Sequence, residues 1–173
     1  MVIRVQFERP GFSMMEAVFS IVLVGGLLVV ALHTVGASAV AQSRMGDHGR
    51  GELLALDLMS EILQKSYADP DGNLTYGPEG GESTLNRATF DDVDDYHGWS
   101  ESPPADAVGD PIAGFTGWSR SVSVQRVSAA DLGVLSGVET GVKRVIVTVQ
   151  RNGVVVATLT AVRADKQPVL EVE

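Results

Sequence analysis

Residues 17–41 carry no formally charged side chain, and the run at 17–32, AVFSIVLVGGLLVVAL, shows no polar face at any helical period. Apolar character extends from Phe12 to about Ala41, broken by Ser13, Glu16, Ser20, His33, Thr34, Ser38 and a few glycines. A helix rises about 1.5 Å per residue and a bilayer core needs roughly 20 residues, so 12–41 predicts a membrane-spanning helix. Beyond it the pattern changes. At 42–66 Leu54, Leu58 and Ile62 recur every fourth residue, and Met59 and Leu63 widen the stripe, which predicts an amphipathic continuation. Gly46, Gly49 and Gly51 are poor helix formers and read as a soft joint or a plain break. Asp69-Pro70-Asp71-Gly72-Asn73 supplies turn residues that end the helix. Gly, Pro and acidic residues then dominate to about residue 111, predicting loop with one short strand.

Strand patterns appear late. At 118–127 Val122 and Val124 alternate with Ser121 and Ser123. The β-branched runs 142–150 and 154–163 flank Asn152-Gly153, the strongest short signal for a two-residue hairpin turn. That turn predicts a register in which Val149 faces Val156 and Ile146 faces Leu159. An isolated hairpin is marginal in water, so a third strand and a packed helix are expected.

Glu16 is the discordant residue at the start of the apolar helix. A carboxylate inside a membrane is costly and implies a function with a partner. The residues before it suggest one. Gly11-Phe12-Ser13-Met14-Met15-Glu16, preceded by a short leader with Arg4 and Arg9, resembles the type IV prepilin cleavage motif. The resemblance implies that a membrane prepilin peptidase/N-methyltransferase cuts between Gly11 and Phe12 and methylates the new Phe12 amine. Glu16 then stands at the fifth mature position, where it meets the Phe12 amine of a neighbouring subunit and serves assembly. Gly25 also matches, at a mature position where the family often has glycine. His33 departs from the pattern, standing where the family often has proline, and leans the reading toward a minor pilin or a type II secretion pseudopilin. The implied fold is α+β and pilin-like: a long N-terminal helix, membrane half plus amphipathic half, packed on a small antiparallel β-sheet. The implied organisation is a leader at 1–11, an assembly helix at 12–41, its amphipathic continuation at 42–66 and a globular domain at 67–173. Within that domain lie an acidic loop at 90–99 and a C-terminal hairpin at 142–163.

Charge and composition narrow the partners. The net charge is −9 and the pI about 4.7, with the acidic excess beyond Gln42, which argues against a nucleic-acid surface. The basic leader favours a cytoplasmic N-terminus, a single inner-membrane pass and a C-terminal domain outside the cytoplasm. The expected partners are the peptidase, other pilin or pseudopilin subunits and that membrane. Two other readings of the N-terminus stay open. One is an ordinary signal peptide cut after Ala39-Val40-Ala41, although its apolar region is long for one. The other is an uncleaved anchor; either would carry an exported or anchored binding domain.

Catalytic signals are absent from the sequence. There is no cysteine, no Gly-x-Ser-x-Gly, no phosphate loop and no His-x-x-x-His; the histidines are His33, His48 and His97. The reading is not an enzyme, with no cofactor. Trp99 and Trp118 are expected in the core rather than in a binding face. In the stretch 90–99, Asp91, Asp92, Asp94 and Asp95 could hold a hard cation such as Ca²⁺. The spacing lacks the glycine and terminal glutamate of an EF-hand loop, so a solvated acidic loop is expected and any calcium binding should be weak. A similar stretch occurs in minor pilins of the mannose-sensitive haemagglutinin type, which adds to the resemblance.

Overall fold

The computed structural model describes residues 11, 13–82 and 86–165. Helix α1 (Met14–Gln64) is followed by four strands: β1 (Ser100–Glu101), β2 (Trp118–Arg126), β3 (Val142–Arg151) and β4 (Val154–Ala164). They form one antiparallel sheet in the order β1-β2-β3-β4. The chain is therefore α+β, with one long N-terminal helix and a four-stranded antiparallel sheet. It divides into two units, Met1–Met45 and Gly46–Glu173.

In the first unit no residue of the helix is buried, and α1 is long and apolar enough to cross a membrane. Two of its hydroxyls are satisfied within the helix. Thr34 Oγ1 donates to the Val30 carbonyl and Ser38 Oγ to the Thr34 carbonyl, each at 2.9 Å. Such back-bonding lets Ser and Thr sit in an apolar medium without an unsatisfied group.

In the second unit α1 lays Leu54, Ala55, Leu58, Met59 and Ile62 into the core. The sheet answers with Trp118, Val122 and Val124 from β2 and Val145, Val147 and Val149 from β3. The predicted stripe is therefore the packed face, and the late strands lie where their alternation places them. Trp99 and Trp118 are both buried.

Two local expectations are corrected. The glycines at 46, 49 and 51 do not break the helix, which runs on to Gln64, although the boundary between the two units does fall at Gly46. Gly51 instead permits a close approach: a Cβ there would lie 2.8 Å from Val156 Cγ2 and 3.3 Å from the Ala157 Cβ. The hairpin register also differs from the simple one. Asn152 and Gly153 do form the turn, both with positive φ, and Arg151 pairs with Val154 and Gln150 with Val155. A bulge then inserts Val156, so that Val149 pairs with Ala157 and Ile146 with Thr160. The bulged residue is the one that meets α1 at Gly51, and its carbonyl accepts a hydrogen bond from His48 Nδ1. A bulge re-aims one residue at the cost of a slip beyond it.

Candidate functional site: the helix start and the acidic turn

Gly11 is exposed and precedes the helix; Phe12 lies outside the described residues. Ser13 begins the turn into α1: its Oγ accepts from the Met15 amide at 3.3 Å and its carbonyl from the Ala17 amide at 3.1 Å. A serine hydroxyl in this role satisfies one of the donors left open at a helix start. Glu16 stands in the first turn, where a negative charge favours the helix dipole. It is exposed and takes part in none of the ion pairs among the described residues. Around and after it Val18, Phe19, Ile21, Val22 and Leu23 are all more than half exposed.

The acidic stretch is not a solvated loop. Of its four aspartates only Asp91 is exposed; Asp92, Asp94 and Asp95 are 2%, 4% and 1% exposed. They build a compact 3-10 turn (Asp94–Tyr96). Asp92 Oδ1 accepts from the amides of Asp94 (2.7 Å) and Asp95 (3.2 Å). In return Asp95 Oδ2 accepts from the amides of Asp91 and Asp92, both at 3.0 Å. Asp94 pairs with the ammonium of Lys143, which points inward from β3, also donates to the Tyr67 carbonyl, and is itself 2% exposed. The turn is pinned at both ends: the Val93 amide bonds the Ser66 carbonyl just past α1, and the Gly98 amide bonds the Val122 carbonyl on β2. A solvated face was the expectation because four adjacent acids repel and prefer water. Backbone donors and a buried lysine remove that preference here. Burial, and then the neighbouring charges of Asp94 and Asp95, push the Asp92 carboxyl up to about 7, opposed by Lys143.

A second buried polar group was not foreseen from the sequence. Arg120 on β2 is fully buried and donates to Glu101 (Nε to Oε1, 2.6 Å), to the Leu54 carbonyl and to the Ala105 carbonyl. Arg87 bonds Glu61 on α1 at 2.9 Å, Glu101 at 2.9 Å and the same Ala105 carbonyl, and lies 5.1 Å from the Trp99 ring centre. The Tyr96 hydroxyl donates to Glu61 at 2.8 Å. Two carboxylates and two guanidinium groups would each be expensive alone; sharing Glu101 keeps both buried guanidinium groups paired. The only available sequence signal was Asp57 and Glu61 beside the apolar stripe of α1, which reads equally well as a solvated helix edge.

The buried cations are held by carboxylates and carbonyls, and the histidines stand apart: His33 in the exposed helix, His48 on Val156, and His97 accepting from the Val124 amide at 3.2 Å. No family model, curated protein or solved structure matches the chain.

Proposed function

We propose that this chain is a structural subunit, a minor pilin or pseudopilin of a type IV pilus or type II secretion-like fibre. In this reading it is processed after Gly11 and assembles through its N-terminal helix. The observation that carries the reading is the order Gly11-Phe12-Ser13-x-x-Glu16 at the head of a helix whose residues to Met45 are all unburied. An apolar surface of that length is unstable in water and needs lipid or other apolar helices around it. A membrane accommodates it before assembly, and packed helices of other subunits do so in a fibre. There the Glu16 carboxylate offsets the positive amine on a neighbour's Phe12, because two unpaired charges among apolar helices would each be costly. The globular unit then faces an aqueous compartment outside the cytoplasm, as an acidic domain with a non-catalytic role.

The competing reading is an exported or anchored binding domain on an ordinary signal peptide or anchor. Mass spectrometry of the N-terminus of the protein purified from membranes separates the two. A mature chain beginning at methylated Phe12 is expected. A start at Gln42 or at Met1 would overturn the proposal.

A further inference from the structure

We propose that Glu79, Glu82 and Asp95 form a calcium-binding site that ties the loop after α1 to the acidic turn. The inference is independent of the fibre reading.

Three observations meet at this point. First, each of the three side chains offers a carboxylate oxygen within 4.8 Å of those of the other two. Oxygens bound to one Ca²⁺ at about 2.3–2.6 Å lie at most roughly 5 Å apart, so a single ion can touch all three. Second, Asp95 is 1% exposed and its Oδ1 is buried with no hydrogen-bond partner among the described residues, while its Oδ2 is fully used by the Asp91 and Asp92 amides. Glu79 Oε1 is buried and unpartnered in the same way. An unmatched buried carboxylate oxygen is costly, and Asp95 and Glu79, which each carry one, belong to the same carboxylate cluster, where a bound cation would offset that cost. Third, none of the ion pairs among the described residues includes Glu79, Glu82 or Asp95. Lys143, the nearby buried cation of the acidic turn, is committed to Asp94 and the Tyr67 carbonyl.

The local fold holds the acids in place without an ion. The Glu79 amide donates to Glu82 Oε2 at 2.9 Å, and the Glu82 amide to the Glu79 carbonyl at 3.1 Å, closing a tight turn. Tyr76 anchors that segment to β2 through its hydroxyl on the Val124 carbonyl at 2.7 Å. Burial, then hydrogen bonding to Glu82 and to Asp69, lifts the Glu79 carboxyl to about 8. Burial likewise lifts Asp95 to about 6, although the Asp92 and Asp91 amides pull the other way. The donor set is oxygen only, which selects a hard cation; a site of three carboxylates on a loop and a turn suits the larger, geometrically tolerant Ca²⁺ better than Mg²⁺, which demands a near-ideal octahedron. Water and carbonyls would complete the six to eight ligands that Ca²⁺ takes. Of the four aspartates singled out in the sequence, only Asp95 belongs to this site; Asp92 and Asp94 are used structurally.

The test uses the full chain in detergent, stripped with a chelator, then melted and titrated calorimetrically with CaCl₂, MgCl₂ and NaCl at matched ionic strength. Calcium is expected to raise Tm by several degrees, half-saturating at roughly 10⁻⁴–10⁻³ M as in extracellular modules, with Mg²⁺ much less effective. The double variant Glu79→Gln/Glu82→Gln, and Glu82→Gln alone, should melt above the ion-free parent because the repulsion is relieved, yet lose the calcium increment. An equal rise with NaCl or MgCl₂, no rise at all, or a calcium increment retained in the double variant would each overturn the assignment.

Discussion

The two parts of α1 use the same secondary structure for opposite ends. Before Gly46 its leucines and valines are exposed: Leu28 is 61% exposed and Val30 63%. After it Leu58 and Ile62 are fully buried against the sheet. Helix formation does not separate them, since both segments are helical and rich in Leu. The pattern does. Where apolar residues surround the helix there is no polar face to leave in water, and its side chains are exposed among the described residues. Where they fall on one stripe, the sheet covers that stripe and the opposite face stays wet. Apolar content therefore identifies which segment needs an external apolar environment, and periodicity identifies which segment builds the domain.

The largest expected effects break the first half. Gly11→Val should leave the chain uncut, because a side chain crowds the peptide bond that the peptidase must reach; normal-rate processing on an immunoblot of membranes would count against the cleavage reading. Glu16→Ala acts later. It should be cut normally and inserted at least as well, since an intramembrane charge is removed, yet be nearly missing from sheared fibres. Glu16→Gln should fail similarly, as a neutral amide does not balance an amine. Parental amounts of either variant in fibres would show that Glu16 is not an assembly group.

A matched pair then contrasts the halves directly. Leu58→Ala removes a fully buried side chain and should destabilise the domain by about 2–5 kcal/mol. Leu28→Ala removes an exposed one and should change the domain's unfolding by less than about 0.5 kcal/mol. Urea unfolding of both in detergent checks the contrast; similar losses would mean that residue 28 is packed against the domain.

The glycines sharpen the comparison further. Gly51→Val would drive a branched side chain into Val156 and Ala157, an overpacking cost of about 1–3 kcal/mol. Gly49→Ala meets nothing within 4 Å and should stabilise by up to ~1 kcal/mol through helix propensity. Opposite shifts in Tm are expected; equal ones would refute the close approach at Gly51.

The smallest effect is on pH dependence. Glu79, Asp92 and Asp95 have folded-state carboxyls raised to about 8, 7 and 6. Between the ordinary carboxylate range near 4 and those values, the folded chain holds more protons than the unfolded one, so stability falls as pH rises. Below that range both states are protonated and the difference vanishes. In calcium-free buffer Tm should drop on the order of a few degrees from pH 5 to pH 8; a rise would reverse the sign.

The sequence by itself determined the parts whose physics is local. The apolar run, the stripe of Leu54, Leu58 and Ile62, the alternation in β2 and the Asn152-Gly153 turn each depend on neighbours within a few positions. Each lies where its pattern placed it. The motif reading of Gly11, Phe12 and Glu16 likewise rests on local spacing, and it stands as the proposal made above. The tertiary structure decided what depends on distant partners. Val156 bulges because Gly51 and His48 stand over it, about a hundred residues earlier in the chain. Asp94 is buried because Lys143, 49 positions away, enters the core from β3. Arg120 and Arg87 are tolerated because α1 and β1 deliver Glu61 and Glu101 to them. Glu79 and Glu82 become interesting only when folding sets them beside Asp95. A charged side chain is stable in the interior only if its counter-charge and hydrogen bonds arrive with it. No local pattern announces that arrival, so an acidic run reads as solvated until the fold supplies its partners.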